Sequence, residues 1–152
     1  MIKLYRRDSG GLLRYHEAWS DGGQITEHWG VVGELGETRT HHRRDGLECV
    51  LADARAQGFA EFGSGQAVWM EVQYDLDGRW GNADDLDLRN AIMAHLDEVL
   101  GWTGLGHCDG GSIGSGAMEV ACVVVDAGIA QRVIGAALDG SRFPRFSRIN
   151  VR

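Results

Sequence analysis

Proline occurs once in the 152 residues and glycine 23 times, so tight turns fall to the residue that supplies positive φ without steric cost. Hairpins joining short strands are the expected result. No apolar run approaches membrane-spanning length, which excludes a transmembrane helix. The opening Met1-Ile2-Lys3-Leu4-Tyr5-Arg6-Arg7 leads into polar residues rather than the apolar core of a secretory signal. Cysteine is scarce and odd in number. Cys49, Cys108 and Cys122 show no C-x-x-C spacing, which argues against a disulfide framework or a structural zinc site and for a reducing cytoplasm. Positive charge is also short, with a formal net charge of -7. That balance opposes non-specific attraction to nucleic acid phosphates or anionic lipid and favours a basic protein partner. Residues 1–62 carry 8 Lys+Arg against 10 Asp+Glu, and residues 63–152 carry 7 against 12, so the acidity sits mainly in the second half.

Hydrophobic residues at 43% and charged residues at 24% are enough to expect a packed core. Over residues 2–40, short apolar runs alternate with turn signals at Ser9-Gly10-Gly11, Ser20-Asp21-Gly22-Gly23 and Gly33-Glu34-Leu35-Gly36. Such spacing reads as an antiparallel meander. Leu47, Val50, Leu51, Ala54, Gly58 and Phe62 then recur at spacings of three and four, a helical stripe. Asp45 and Glu48 are placed as a capping box at its start. Gly63-Ser64-Gly65 follows as a short linker. Beyond it the pattern is a strand over residues 67–74, a helix capped by Asp84 or Asp85 with the stripe Leu88, Ile92, Leu96 and Val99 and a stop at Gly101, and an uncertain strand near residues 106–113. A strand over 118–125, apolar enough for burial on both faces or a sheet centre, a helix through Ile129, Val133, Ile134, Ala137 and Leu138, and a strand over 146–151 complete the chain. This order is that of a split βαβ, or ferredoxin-like, module over residues 66–152.

Three segments in the first half stand together: Tyr15-His16-Glu17-Ala18-Trp19, then Glu27-His28-Trp29-Gly30-Val31-Val32-Gly33-Glu34-Leu35-Gly36-Glu37-Thr38, then the helix around residues 52–59. In this order they resemble the WGR family over residues 2–62. The resemblance implies an antiparallel sheet with one packed helix, and a module associated with binding nucleic acid ends or neighbouring domains. The third residue of the family's Trp-Gly-Arg is Val31 here, which removes a cation able to pair with phosphate or carboxylate. Two roles are open to Trp29 beside Gly30: filling the sheet's core, or stacking on a ligand. Arg39, His42, Arg43 and Arg44, just ahead of the expected helix, are candidate binding residues with Trp29 and Gly30. A solvated loop is the alternative.

The glycine-rich run of residues 101–116 lacks the spacing of either common phosphate-binding loop and falls between a helix and a strand. It is read as a second candidate binding loop, with Trp102, His107, Cys108 and Asp109. His107-Cys108-Asp109 has the residue types of a cysteine hydrolase, but neighbours on an extended segment point apart. Asp75, Asp77, Asp84, Asp85 and Asp87 fail calcium-loop spacing, because Arg79 stands where a ligand is required and Gly78 comes too early. With Glu71 and Asp97 they are expected to form an acidic surface. The expectation is therefore an α+β chain without catalytic residues, metal or cofactor. Its role is that of a protein-interaction or regulatory factor, with toxin neutralisation as one concrete form. The alternative is a nucleic-acid-binding adaptor using the first module.

Overall fold

The computed structural model describes residues 1–152, apart from the side chain of Ser64. It is an α+β structure with two antiparallel sheets, divided into two compact units. The first unit comprises Met1–Gln66 with Trp102–Gly104, and the second comprises Ala67–Gly101 with Leu105–Arg152. The boundary therefore falls just beyond the expected linker. Gly63 and Gln66 close a turn there, the Gln66 amide donating to the Gly63 carbonyl at 2.9 Å and the Gly63 amide to Gln66 Oε1 at 3.0 Å.

In the first unit, β1 (Ile2–Arg7), β2 (Leu13–Asp21), β3 (Gln24–Val31) and β4 (Glu37–His42) form the expected meander. A short β5 (Ala60–Glu61) returns to pair with β1, giving the order β4-β3-β2-β1-β5. The β2–β3 turn is Gly22-Gly23, with φ of 55° and 92° and Asp21 opposite Gln24. Two consecutive positive φ values match a two-residue hairpin turn and set the register of everything upstream. One end of one sheet face, through Leu4, Ala18 and Ile25, packs with Leu51, Ala54 and Phe59 to make the core.

The single helix expected over 47–62 is replaced by two short pieces, α1 (Leu47–Val50) and α2 (Ala52–Ala56). Asp45 does not cap them. It lies in a 3₁₀ turn over Arg43–Asp45, the N-cap is Gly46 at φ 75°, and no side chain satisfies the helix start. Glu48 is occupied elsewhere, accepting from Arg55 at 2.8 and 3.1 Å. Gly58, at φ 90°, ends the segment and redirects the chain into β5.

The second unit holds β6 (Val68–Asp75), α3 (Ala83–Trp102), β7 (Gly106–Gly114), β8 (Ala117–Val124), α4 (Ala127–Asp139) and β9 (Arg148–Val151). This is the expected strand–helix–strand–strand–helix–strand order, arranged β7-β8-β6-β9 with every neighbouring pair antiparallel. Four details differ from the sequence reading. The α3 cap is Asn82, whose Oδ1 accepts from the Asp85 amide at 3.0 Å while Asp85 Oδ2 accepts from the Asn82 amide at 2.9 Å. The helix passes through Gly101, and its buried stripe is Ile92, Leu96 and Leu100, with Leu88 exposed. Strand β8 alternates, burying Met118, Val120, Cys122 and Val124 on one face only. The last strand begins at Arg148 rather than Phe146. Among the described residues, no helix is long and apolar enough to cross a membrane.

Candidate functional site

Trp29 and Gly30 lie on β3 and serve opposite faces of the first sheet. Trp29 is half-buried and stands outside the apolar core. The Arg39 guanidinium sits over its ring at 5.3 Å, and the His16 ring lies against it at 5.7 Å. Beside them, Glu27 is clasped by two imidazoles, His16 Nε2 donating to Oε1 at 2.6 Å and His41 Nε2 to Oε2 at 2.7 Å. Burial pushes the Glu27 carboxyl upward, but the two hydrogen bonds outweigh it and hold the group below the ordinary carboxylate range. Opposite Val31 across the β2–β3 ladder is Arg14, whose guanidinium is already paired with Asp8 at 2.7 Å.

The other expected members of this site are not brought to Trp29. Trp29 is level with Glu37, while Gln24 at the far end of β3 is level with His42. Arg43 and Arg44 follow His42, about 20 Å along the strand from Trp29 at ~3.3 Å per residue. They are exposed, and the helix after them is only four residues long.

Gly30 has a packing reason. A Cβ there would stand 3.0 Å from both the Tyr15 hydroxyl and Gly36 Cα, and one on Gly36 would stand 2.2 Å from the hydroxyl. The backbone closes over Tyr15, the end of a buried relay that sequence reasoning missed. Lys3 Nζ pairs with Glu17 Oε2 at 3.1 Å, Glu17 Oε1 accepts from His28 Nδ1 at 2.7 Å, and His28 Nε2 meets the Tyr15 hydroxyl at 2.9 Å. Exposures of 3% for Glu17 and 1% for His28 and Tyr15 leave no room for a substrate. With Nδ1 donating to Glu17 and Nε2 accepting from the Tyr15 hydroxyl, the imidazole is satisfied internally at both nitrogens. The arrangement has the form of a carboxylate–imidazole–hydroxyl relay and works as a buried polar network. Trp19 and Trp102 pack edge-on around His28, at ring distances of 6.1 and 5.1 Å.

The second candidate loop is not a loop, and its residues do not converge. Trp102 ends α3 and groups with the first unit, whereas His107, Cys108 and Asp109 lie on the edge strand β7 of the second. His107 and Asp109 are exposed, while Cys108 is half-buried with its Sγ 3.7 Å from Cys122 Sγ. The contact with Cys122, burial and the nearby Asp97 carboxylate all push the Cys108 thiol well above its usual value. A protonated thiol turned away from its neighbouring base is not an activated nucleophile.

Of the residues expected to form an acidic surface, several are partnered, Asp75 among them through Gln73 Nε2 at 3.3 Å. Glu71 pairs with Arg152 at 2.6 Å, Asp97 accepts from the Cys108 amide at 2.8 Å, and Asp85, in the first turn of α3, accepts from the Asn82 amide. Asp77 is exposed on the connection from β6 to α3, and Asp84 and Asp87 are exposed in the first turns of α3. Within that connection Trp80 is 72% exposed, with the Arg79 guanidinium over its ring at 5.4 Å, and Leu86 and Leu88 are exposed beyond it. Trp80 escaped the sequence reading because its neighbours, Asp77-Gly78-Arg79, were weighed only as failed calcium ligands. A groove of about 510 Å³ borders Leu88, lined also by Tyr74, Phe143, Pro144, Arg142 and Arg145. No cluster of His, Cys, Asp and Glu suited to a metal ion occurs among the described residues. Comparison of the chain with family models, curated proteins and solved structures returns no match.

Proposed function

We propose that this chain is a non-enzymatic protein-binding factor that engages a basic partner through the acidic connection between β6 and α3. The observation that carries the reading is Trp80, an aromatic 72% exposed in the same stretch of chain as the exposed carboxylates Asp77, Asp84 and Asp87. A large aromatic at the centre of a contact supplies most of its binding energy, and surrounding carboxylates steer a cationic partner and fix its register. The reactive groups support the same reading from the other side: the Tyr15–His28–Glu17 relay and Cys108 are turned toward protein rather than toward a substrate. A factor that neutralises a basic toxin is one concrete form, since covering a partner's site needs only shape and charge. The test is affinity capture from the native cell extract after nuclease treatment. The expected result is a basic protein recovered by the wild type and depleted at least tenfold with Trp80→Ala or with Asp84→Asn/Asp87→Asn. Recovery of nucleic acid alone, from extract left untreated, overturns the reading.

A second reading, a nucleic-acid adaptor built on a WGR-like first unit, is favoured by the Arg39 guanidinium stacked on half-exposed Trp29. It requires binding that falls steeply with salt and weakens in an Arg39, Arg43, Arg44 triple substitution. Salt-insensitive or absent binding removes it.

A further inference from the structure

Two of the three cysteines are direct cross-strand partners. Cys108 on β7 stands opposite Cys122 on β8, with their Sγ atoms 3.7 Å apart. Opposed residues in an antiparallel pair have Cα atoms about 4.5 or 5.5 Å apart, inside the roughly 4.4–6.8 Å that a disulfide spans. To reach a bond of about 2.05 Å the sulfurs need to close by roughly 1.7 Å. The local backbone can supply that movement. The β7–β8 register shifts between Cys108 and Gly111, and Gly110 at φ 91° sits in the irregularity. Access is unequal: Cys122 is fully buried, whereas Cys108 is half-buried on the sheet's edge strand. The remaining cysteine, Cys49, is exposed on α1 of the other unit and has no cysteine partner.

We propose that Cys108 and Cys122 form a reversible disulfide, an oxidative modification site whose co-substrate is a low-molecular-weight disulfide such as oxidised glutathione. Cys108 loses its proton to solvent, and its thiolate attacks one sulfur of oxidised glutathione, forming a protein–glutathione bond and releasing one glutathione thiolate. Deprotonated Cys122 then attacks Cys108 Sγ, forming the intramolecular bond and releasing the second glutathione thiolate. Both thiolates take up protons. The protein sulfurs lose two electrons, which glutathione gains, and no other reactant is needed. Cys108 is the attacking residue because it alone of the pair is open to solvent, and Cys122 resolves because its Sγ is 3.7 Å away across the ladder. The Asp97 carboxylate opposes the thiolate, so exchange is slow at neutral pH and quickens by about tenfold per pH unit while the thiol remains protonated. The bond ties an edge strand covalently to its one neighbour, next to the bulge.

Folded Cys49→Ser protein incubated with oxidised glutathione tests the pair in isolation. The expected result is that both thiols disappear together, with a mass loss of two hydrogens, no retained glutathione, a linked peptide containing Cys108 and Cys122, and full reversal by dithiothreitol. A further Cys108→Ser substitution is expected to leave Cys122 free. Two thiols that stay free through prolonged incubation at pH 9, or a stable glutathione adduct on Cys108, overturn the proposal.

Discussion

Tyr15 explains more of the first sheet than the Trp29-Gly30 pair does. Its buried hydroxyl needs bare backbone at Gly30 and Gly36, and its ring needs it at Gly104, where a Cβ would fall 2.2 Å from Cδ1. We expect Gly36→Ala to destabilise the protein by about 3 kcal/mol in urea unfolding, since the new methyl also meets the Trp29 carbonyl. Removing Glu17 leaves Lys3 and His28 without their shared carboxylate. Glu17→Ala is expected to cost on the order of 3 kcal/mol, and a loss below about 1 kcal/mol contradicts the buried relay. Much of this was legible in principle. Counting outward from the Gly22-Gly23 turn places Glu17 opposite His28 and Tyr15 opposite Gly30. The sequence reading treated the same residues as marks of a family and never paired them across the hairpin. The His41 contact with Glu27 was less accessible, because the longer connection from β3 to β4 does not announce its register.

Helices show the same division between local and tertiary control. Both long helices were found from apolar spacing, but the α3 cap was placed at Asp84 or Asp85, two or three residues past Asn82. Asn82→Ala is expected to destabilise α3 by about 1 kcal/mol, while Asp45→Ala changes stability little, because Asp45 satisfies no helix amide. Gly135, inside α4 with open space around its Cα, is expected to gain about 0.5–1 kcal/mol on replacement by alanine. Thermal melting of the three variants orders them. The break between α1 and α2 was invisible because an apolar stripe at spacings of three and four describes two short helical pieces as well as one long helix. Arg55 pairing with both Glu48 and Glu61, which takes Glu48 away from capping, is a tertiary choice that no capping pattern encodes. Strand β8 was read as buried on both faces because small residues such as Ala121 look apolar on whichever side they stand.

At the scale of the molecule, charge and burial set how the protein answers to pH and to partners. Burial raises Tyr5, Tyr15 and Tyr74, the last to about 12 from an ordinary 10.0. The folded state therefore holds phenolic protons that the unfolded chain releases, so stability is fully present below pH 10 and falls as pH rises toward 12. Urea midpoints across that window are expected to decline, and Tyr74→Phe is expected to flatten the decline. The overall charge of -7 was read directly, and so was the excess of acid in the second half. Which carboxylates remain free was not legible, because Glu71, Asp85 and Asp97 find partners only in the folded sheet and helix. Exposed Asp77, Asp84 and Asp87, in the same stretch of chain as Trp80, are the carboxylates on which the functional proposal rests. A photoreactive benzoylphenylalanine placed at Trp80, and in parallel at Leu35, an equally exposed position on the first unit at 78%, tests it most directly in the native cell. The account predicts a discrete adduct with one basic protein from position 80 and none from position 35, whereas no adduct from 80, or the same products from both, contradicts it.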